Sequence, residues 1–315
     1  MKKAIVIFMT VFLAFFFCCE LKAATIQKTI IPAEADWVIH FDLEKFSTTQ
    51  IGESLLSEEG AFNLKKKNAQ FKKKYQIDLL ADIDGITIFG IGEQEKKTVA
   101  CLRGNFKRDY LLGLLAAEET HQEIPHGKYT IHNWNHHEYG VFVDDNLALM
   151  GANEDTIKMA LDVIAGKKAN IASSPMMAYI DEIPSNAFFA ALAKDISSMA
   201  QHATKVFVFK KTESASLTLT EEKKNLNIRL NFIVKTLEDA KNMESVIRGL
   251  ISLASMQLEE AHKELMPHLE RINISTEGKK VRVEFSYPSK ELVDIVLGKV
   301  KFSPFSLLAK YNRLP

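Results

Sequence analysis

A chain of 315 residues that is 47% hydrophobic and 25% charged is long enough for about two folded domains and too apolar for extended disorder. Its 40 basic and 40 acidic residues cancel, so no overall positive field gathers phosphate, which argues against nucleic-acid binding. With three cysteines, two of them adjacent at Cys18 and Cys19, a disulfide-built scaffold is not expected.

Residues 1–24 have the layout of a secretory signal peptide. Met1-Lys2-Lys3 is a basic start, the apolar run ends at Phe17, and Ala23-Ala24 is a small-residue exit. The apolar run is short for a membrane span, so the expectation is an exported, periplasmic or secreted protein with no stable span after cleavage. Lipid attachment at Cys18 or Cys19 is the lesser reading, because Phe15, Phe16 and Phe17 stand where small residues belong. Residues 1–24 hold Lys2, Lys3, Lys22 and Glu20, so the remainder carries a net charge of −2. Cys101 is then alone, within an apolar strand pattern, and is read as a buried thiol.

In chain order, Trp37 to Phe41 predicts a strand that turns into a helix at Asp42 or Leu43. His40 lies within it as a structural histidine rather than a ligand. Asn63 to Tyr75 predicts a helix whose six lysines, 65–67 and 72–74, form a solvated face in preference to a patch for an acidic partner. GITIFGIG and KTVACLRG predict a strand pair, followed by a helix from Asp109 to Ala117. KYTIHNW and EYGVFV predict a hairpin, and NLALMGA a further strand beyond the Asp144-Asp145-Asn146 turn. A helix follows, capped by Asn153 and stopped at Gly166.

Pro175 and Pro184 punctuate a soft boundary, which divides the chain into residues 25–172 and 173–315. NAFFAALA and KVFVFKK open the second half. SASLTLTEE and NLNIRLNFIV predict strands, Leu237 to Leu265 a long helix, RINISTEG and KVRVEFSYP a hairpin, and SKELVDIVLGKV a closing helix. The tail from Lys301 is apolar-rich and expected to dock on the body. The expected fold is α+β: mostly antiparallel sheets with helices packed on one face, in two similar β-β-α-β-β-α halves. Loose correspondence between GEQEKKTVACLRGNF and TEEKKNLNIRLNF suggests an internal duplication.

The phrases PAEADWVIHFDLEKF, IDLLADIDGITIFG, ALDVIAGK and RINISTEGKKVRVEFSYPSKELVDIV resemble a family of uncharacterised, exported bacterial α+β proteins. The resemblance covers most of the chain after residue 24. It implies a secreted domain of unknown function and brings no catalytic residue with it.

Candidate chemistry concentrates in one place. His121, His126, His132, His136 and His137 are followed by Glu138. Imidazoles with a carboxylate suit zinc or copper, so His132, His136, His137 and Glu138 are the candidate metal ligands. Strand patterns on both sides place this group at a hairpin tip, with His132 and His137 facing each other across the strands. An exposed polar turn explains the same residues. Asp144-Asp145-Asn146 lacks a full calcium loop, and Gly90-Ile91-Gly92 lacks the third glycine of a dinucleotide fingerprint. No catalytic or cofactor-binding residue is assigned. The leading expectation is a non-catalytic binding or structural module with an envelope protein partner. The alternatives are a metal-binding protein or metal-dependent hydrolase, and a carrier of apolar ligands along the long helix. Nothing in the sequence speaks to oligomeric state.

Overall fold

The computed structural model describes residues 26–56, 64–92, 97–194, 211–261 and 269–296. In chain order the first half runs β1 (Trp37–Asp42), α1 (Leu43–Ser47), α2 (Gln50–Leu56), α3 (Leu64–Tyr75), β2 (Ile83–Gly90), β3 (Thr98–Gly104), α4 (Arg108–Ala116), β4 (Gln122–His126), β5 (Tyr129–Trp134), β6 (Glu138–Phe142), β7 (Leu147–Gly151), α5 (Glu154–Ile164) and α6 (Met177–Asp181). The second runs β8 (Ala187–Lys194), β9 (Thr212–Glu222), β10 (Asn225–Val234), α7 (Leu237–Ala261), β11 (Asn273–Glu277), β12 (Lys280–Pro288) and α8 (Ser289–Val296). Residues 1–25, most of KVFVFKK, the expected ends of the long helix (262–265) and of the closing helix (297–300), and the tail from Lys301 lie outside the described residues.

All twelve strands form one sheet, in the order β11-β12-β10-β9-β8-β1-β2-β3-β7-β6-β5-β4. The two halves meet at the antiparallel pair β1–β8, in which Ile39 faces Ala191. Counted outward from there, each half is built alike. Three strands meander (β1-β2-β3 and β8-β9-β10), a helix crosses, and a hairpin returns so that its later strand, β7 or β12, sits beside the third. Hairpin β4–β5 has no counterpart among the described strands of the second half. It extends the sheet at one rim.

The helices lie on both faces, where the sequence pattern led us to expect one. Alternation along β1 sends Phe41 to one face and Val38 to the other. Phe41, Ile86, Ile88 and Ala100 pack with Leu43 and Phe46 of α1, Ile51 of α2 and Val293 of α8. Val38, Phe89, Val99, Cys101 and Leu149 pack with Ile157, Ala160 and Leu161 of α5. The reason lies in the central strands, which carry apolar side chains on both faces and need cover on each. A third cluster, Val234, Ala240, Met243, Ile274 and Val281, seats α7 on the far strands.

Local signals place the elements as chemistry requires. Asp42 ends β1 in an extended conformation and accepts from the Lys45 backbone N–H, which starts α1. Asn153 caps α5 by accepting from the Thr156 N–H, and Gly166, at φ 71°, ends that segment. Both rims of the sheet are guarded. Pro125 interrupts β4, and on β11 the Arg248 guanidinium of α7 donates to the Ile274 carbonyl at 2.9 Å.

Candidate functional site

The candidate site stands on the rim hairpin β4–β5. Its turn is Gly127-Lys128, with Gly127 at φ 62°, a conformation open to glycine and costly for most side chains. This two-residue turn fixes the register: His126 pairs with Tyr129, and Glu123 falls directly opposite His132. In such a hairpin Glu123 and His132 form a non-hydrogen-bonded pair, the type whose side chains approach more closely. His121, two residues before Glu123, falls on the same face of the sheet by alternation.

Those three side chains converge. His121 Nε2 lies 3.0 Å from His132 Nδ1, and the two rings lie edge to edge with centroids 5.3 Å apart and an interplanar angle of 13°. Glu123 Oε1 is 3.9 Å from the same His132 nitrogen. One donor atom from each of the three lies within 4.8 Å of the others. His132 is buried at 7% exposure, whereas the Glu123 side chain is 65% exposed, so the cluster has a fixed floor and an open wall. Burial, and then the neighbouring His121, hold the His132 imidazole below its ordinary pKa. Glu123 pulls it back up and Arg108 pushes it down again.

The surroundings hold this frame. His126 Nε2, at the tip end of β4, is 2.9 Å from the Asp162 carboxylate of α5 and pins the hairpin to the body. That contact, with Lys167 adding to it, keeps the Asp162 carboxyl below the usual carboxylate range. Gly140 faces His132 across β5–β6, and a Cβ there would meet Trp134 Cη2 at 2.9 Å. A bare backbone is what lets the indole lie over this strand.

The residues singled out from sequence do not all come together. His132 joins His121 and Glu123. His136 and His137 form the β5–β6 turn, with Asn135 and His136 at φ 54° and 62°. Glu138 pairs with Trp134 and accepts from the Asn135 amide at 3.2 Å. The expected facing of His132 and His137 is corrected by register: His132 lies opposite Gly140. Glu123 was missed because β4 reads as a loop, with Pro125 and three polar residues in QEIPH. The signal that could have found it is Gly127-Lys128 as a hairpin turn, from which counting back reaches the 123–132 pair.

Other sequence readings fall into place. His40 is buried with its Nδ1 2.8 Å from Thr87 Oγ1, and Cys101 is a free, buried thiol whose pKa burial raises. Asn146 donates its N–H to Asp144 Oδ1 at 2.8 Å, closing a turn. The lysines of α3 are exposed. The space beside His40, Thr87, Cys101 and Arg103 is no larger than one water molecule.

Three crystal forms of TP0453 share the fold. Form III superposes with a TM-score of 0.53 at 11% identity, spanning 88% of this chain and all of that one. Form I gives 0.51 at 11%, over 89% and 100% of the two chains, and form IV gives 0.50 at 12%, over 87% and 97%. No family model and no curated protein matches the sequence. At such identities the likeness concerns the fold alone. That fold is α+β, built on one large antiparallel sheet. No helix among the described residues is long and apolar enough to cross a membrane.

Proposed function

We propose that this protein is an exported, non-catalytic binding module of the bacterial envelope. One observation carries the reading: the convergent polar cluster of His121, Glu123 and His132 stands at the rim of one continuous sheet, open to solvent through Glu123. Metal-assisted hydrolysis needs a shaped cavity that excludes water around the reacting atoms. A rim site with an exposed wall suits recognition instead. The signal-like residues 1–24 support action outside the cytoplasm.

Purified protein presented with chromogenic esters, phosphate esters and peptides, with and without added zinc, should turn over none of them above buffer. Turnover that disappears in His121→Ala would refute the non-catalytic reading. Export is tested by fusing residues 1–24 to alkaline phosphatase, an enzyme active only after translocation. Phosphatase activity in intact cells is expected, and a silent fusion would contradict it.

A further inference from the structure

We propose that His121, Glu123 and His132 bind one divalent transition-metal ion of the zinc class. The proposal deepens the reading of the rim hairpin as the binding part of the molecule, and its test is separable from that of catalysis.

Two imidazole nitrogens and one carboxylate oxygen make a mixed set. Hard cations such as calcium and magnesium prefer all-oxygen ligands, whereas zinc, nickel and copper take imidazole readily. With zinc–nitrogen bonds of about 2.0–2.1 Å in a tetrahedron, two ligand nitrogens sit about 3.3 Å apart. The observed 3.0 Å between His121 Nε2 and His132 Nδ1, with ring centroids 5.3 Å apart, points the two nitrogens at each other, so taking up an ion means opening that spacing by a few tenths of an ångström and turning each ring by about 35° toward a common point. Glu123 starts 3.9 Å from His132 Nδ1 and, being largely exposed, is free to swing inward. The fourth position opens to solvent, where a water or a partner's side chain completes the tetrahedron.

The placement within the fold is a second, independent observation. All three ligands belong to β4, β5 and the residue leading into β4, the segment that lies outside the repeated plan of the two halves. The return of β6 and β7 already closes that plan, so the repeat does not require this hairpin. The clip between His126 and Asp162 and the fixed register across β4–β5 hold the ligand frame without the ion. The competing explanation is a plain N–H···N bond between two neutral imidazoles. It satisfies the 3.0 Å contact but gives Glu123 no role.

The test uses protein from expression of the full chain, purified untagged, stripped with chelator and titrated with zinc against a chromogenic competitor. About one equivalent per chain is expected, with affinity falling at least about tenfold in both His121→Ala and Glu123→Gln. Those two variants carry the test because His132 is buried and its truncation threatens the fold. The double change His136→Ala and His137→Ala should leave affinity unchanged. Cobalt(II) substitution should give the visible absorption of a four-coordinate site. Stoichiometry below about one tenth, or binding lost with His136 and His137 but untouched by His121 and Glu123, would overturn the proposal. Zinc-dependent turnover would overturn the non-catalytic reading while leaving the metal site standing. Absence of both metal and turnover would do the reverse.

Discussion

At the scale of single residues, carboxylates in polar junctions fix helix starts and turns. Glu221, on β9, accepts from the backbone N–H groups of Gln50 and Ile51 at 2.7 and 3.2 Å and from the Ser289 hydroxyl at 2.6 Å. One negative charge thereby serves the first turn of α2, whose unpaired N–H groups and dipole favour it, and ties the Ser289 side chain at the start of α8 to the same point. Glu221→Ala should cost about 2 kcal/mol or more, read as a lower midpoint in urea unfolding with an unchanged slope. Asp78 is a second such junction, with Asn68 and Lys72 at 2.7 and 2.9 Å and the Leu80 N–H at 3.0 Å. Burial raises its pKa, but the combined hydrogen bonds from Lys72, Asn68 and Leu80 prevail and hold the carboxyl below its ordinary value. Its stabilising contribution is therefore complete above the unfolded carboxylate range and is lost as pH falls through the lowered folded value. Asp78→Ala should cost about 1–3 kcal/mol near neutrality and flatten the acid limb between about pH 5 and pH 2.

At the scale of elements, the short helix α1 is fixed by packing. Phe46 is 1% exposed, with its ring centroid 5.2 Å from that of Phe41 on β1 and 5.3 Å from that of Phe188 on β8. These contacts join the two halves across the β1–β8 pair, so Phe46→Ala should cost about 3–5 kcal/mol and lower the unfolding midpoint of the whole molecule in one transition. Strand β4 is bounded by different physics. In a hairpin with a two-residue turn the nitrogen of Pro125 points away from β5, where an N–H would invite another strand. Pro125→Thr should open that rim and produce concentration-dependent association in light scattering; a monodisperse variant at every concentration would contradict the guard role. The same strand shows why the site was only partly legible. No residue of β4 is fully buried on either face, so its two faces need not differ in hydrophobicity and QEIPH gives the period-2 signal nothing to detect. By contrast β1, β2, β9, β10 and β12, whose patterns are strong, were legible, as were the helix start at Asp42 or Leu43 and the cap at Asn153.

At the scale of the whole molecule, continuity of the sheet is what local pattern cannot supply. The sequence WVIHFD announces a strand and NAFFAALA opens the second half, but their pairing joins residues about 150 positions apart and depends on which edges remain free once both halves fold. The placement of helices on both faces belongs to this scale too, because an amphipathic stripe says that a helix packs and not on which side. The repeated plan of the halves was legible as an order of elements. It becomes a statement about function only in the assembled sheet, where the histidine-bearing hairpin stands apart from it. The most direct measurement is nitrogen-15 NMR of the histidine rings during zinc titration. The account predicts shifts in the ring nitrogens of His121 and His132, saturating at one equivalent, with His136 and His137 unmoved; shifts confined to His136 and His137, or none at all, would contradict it.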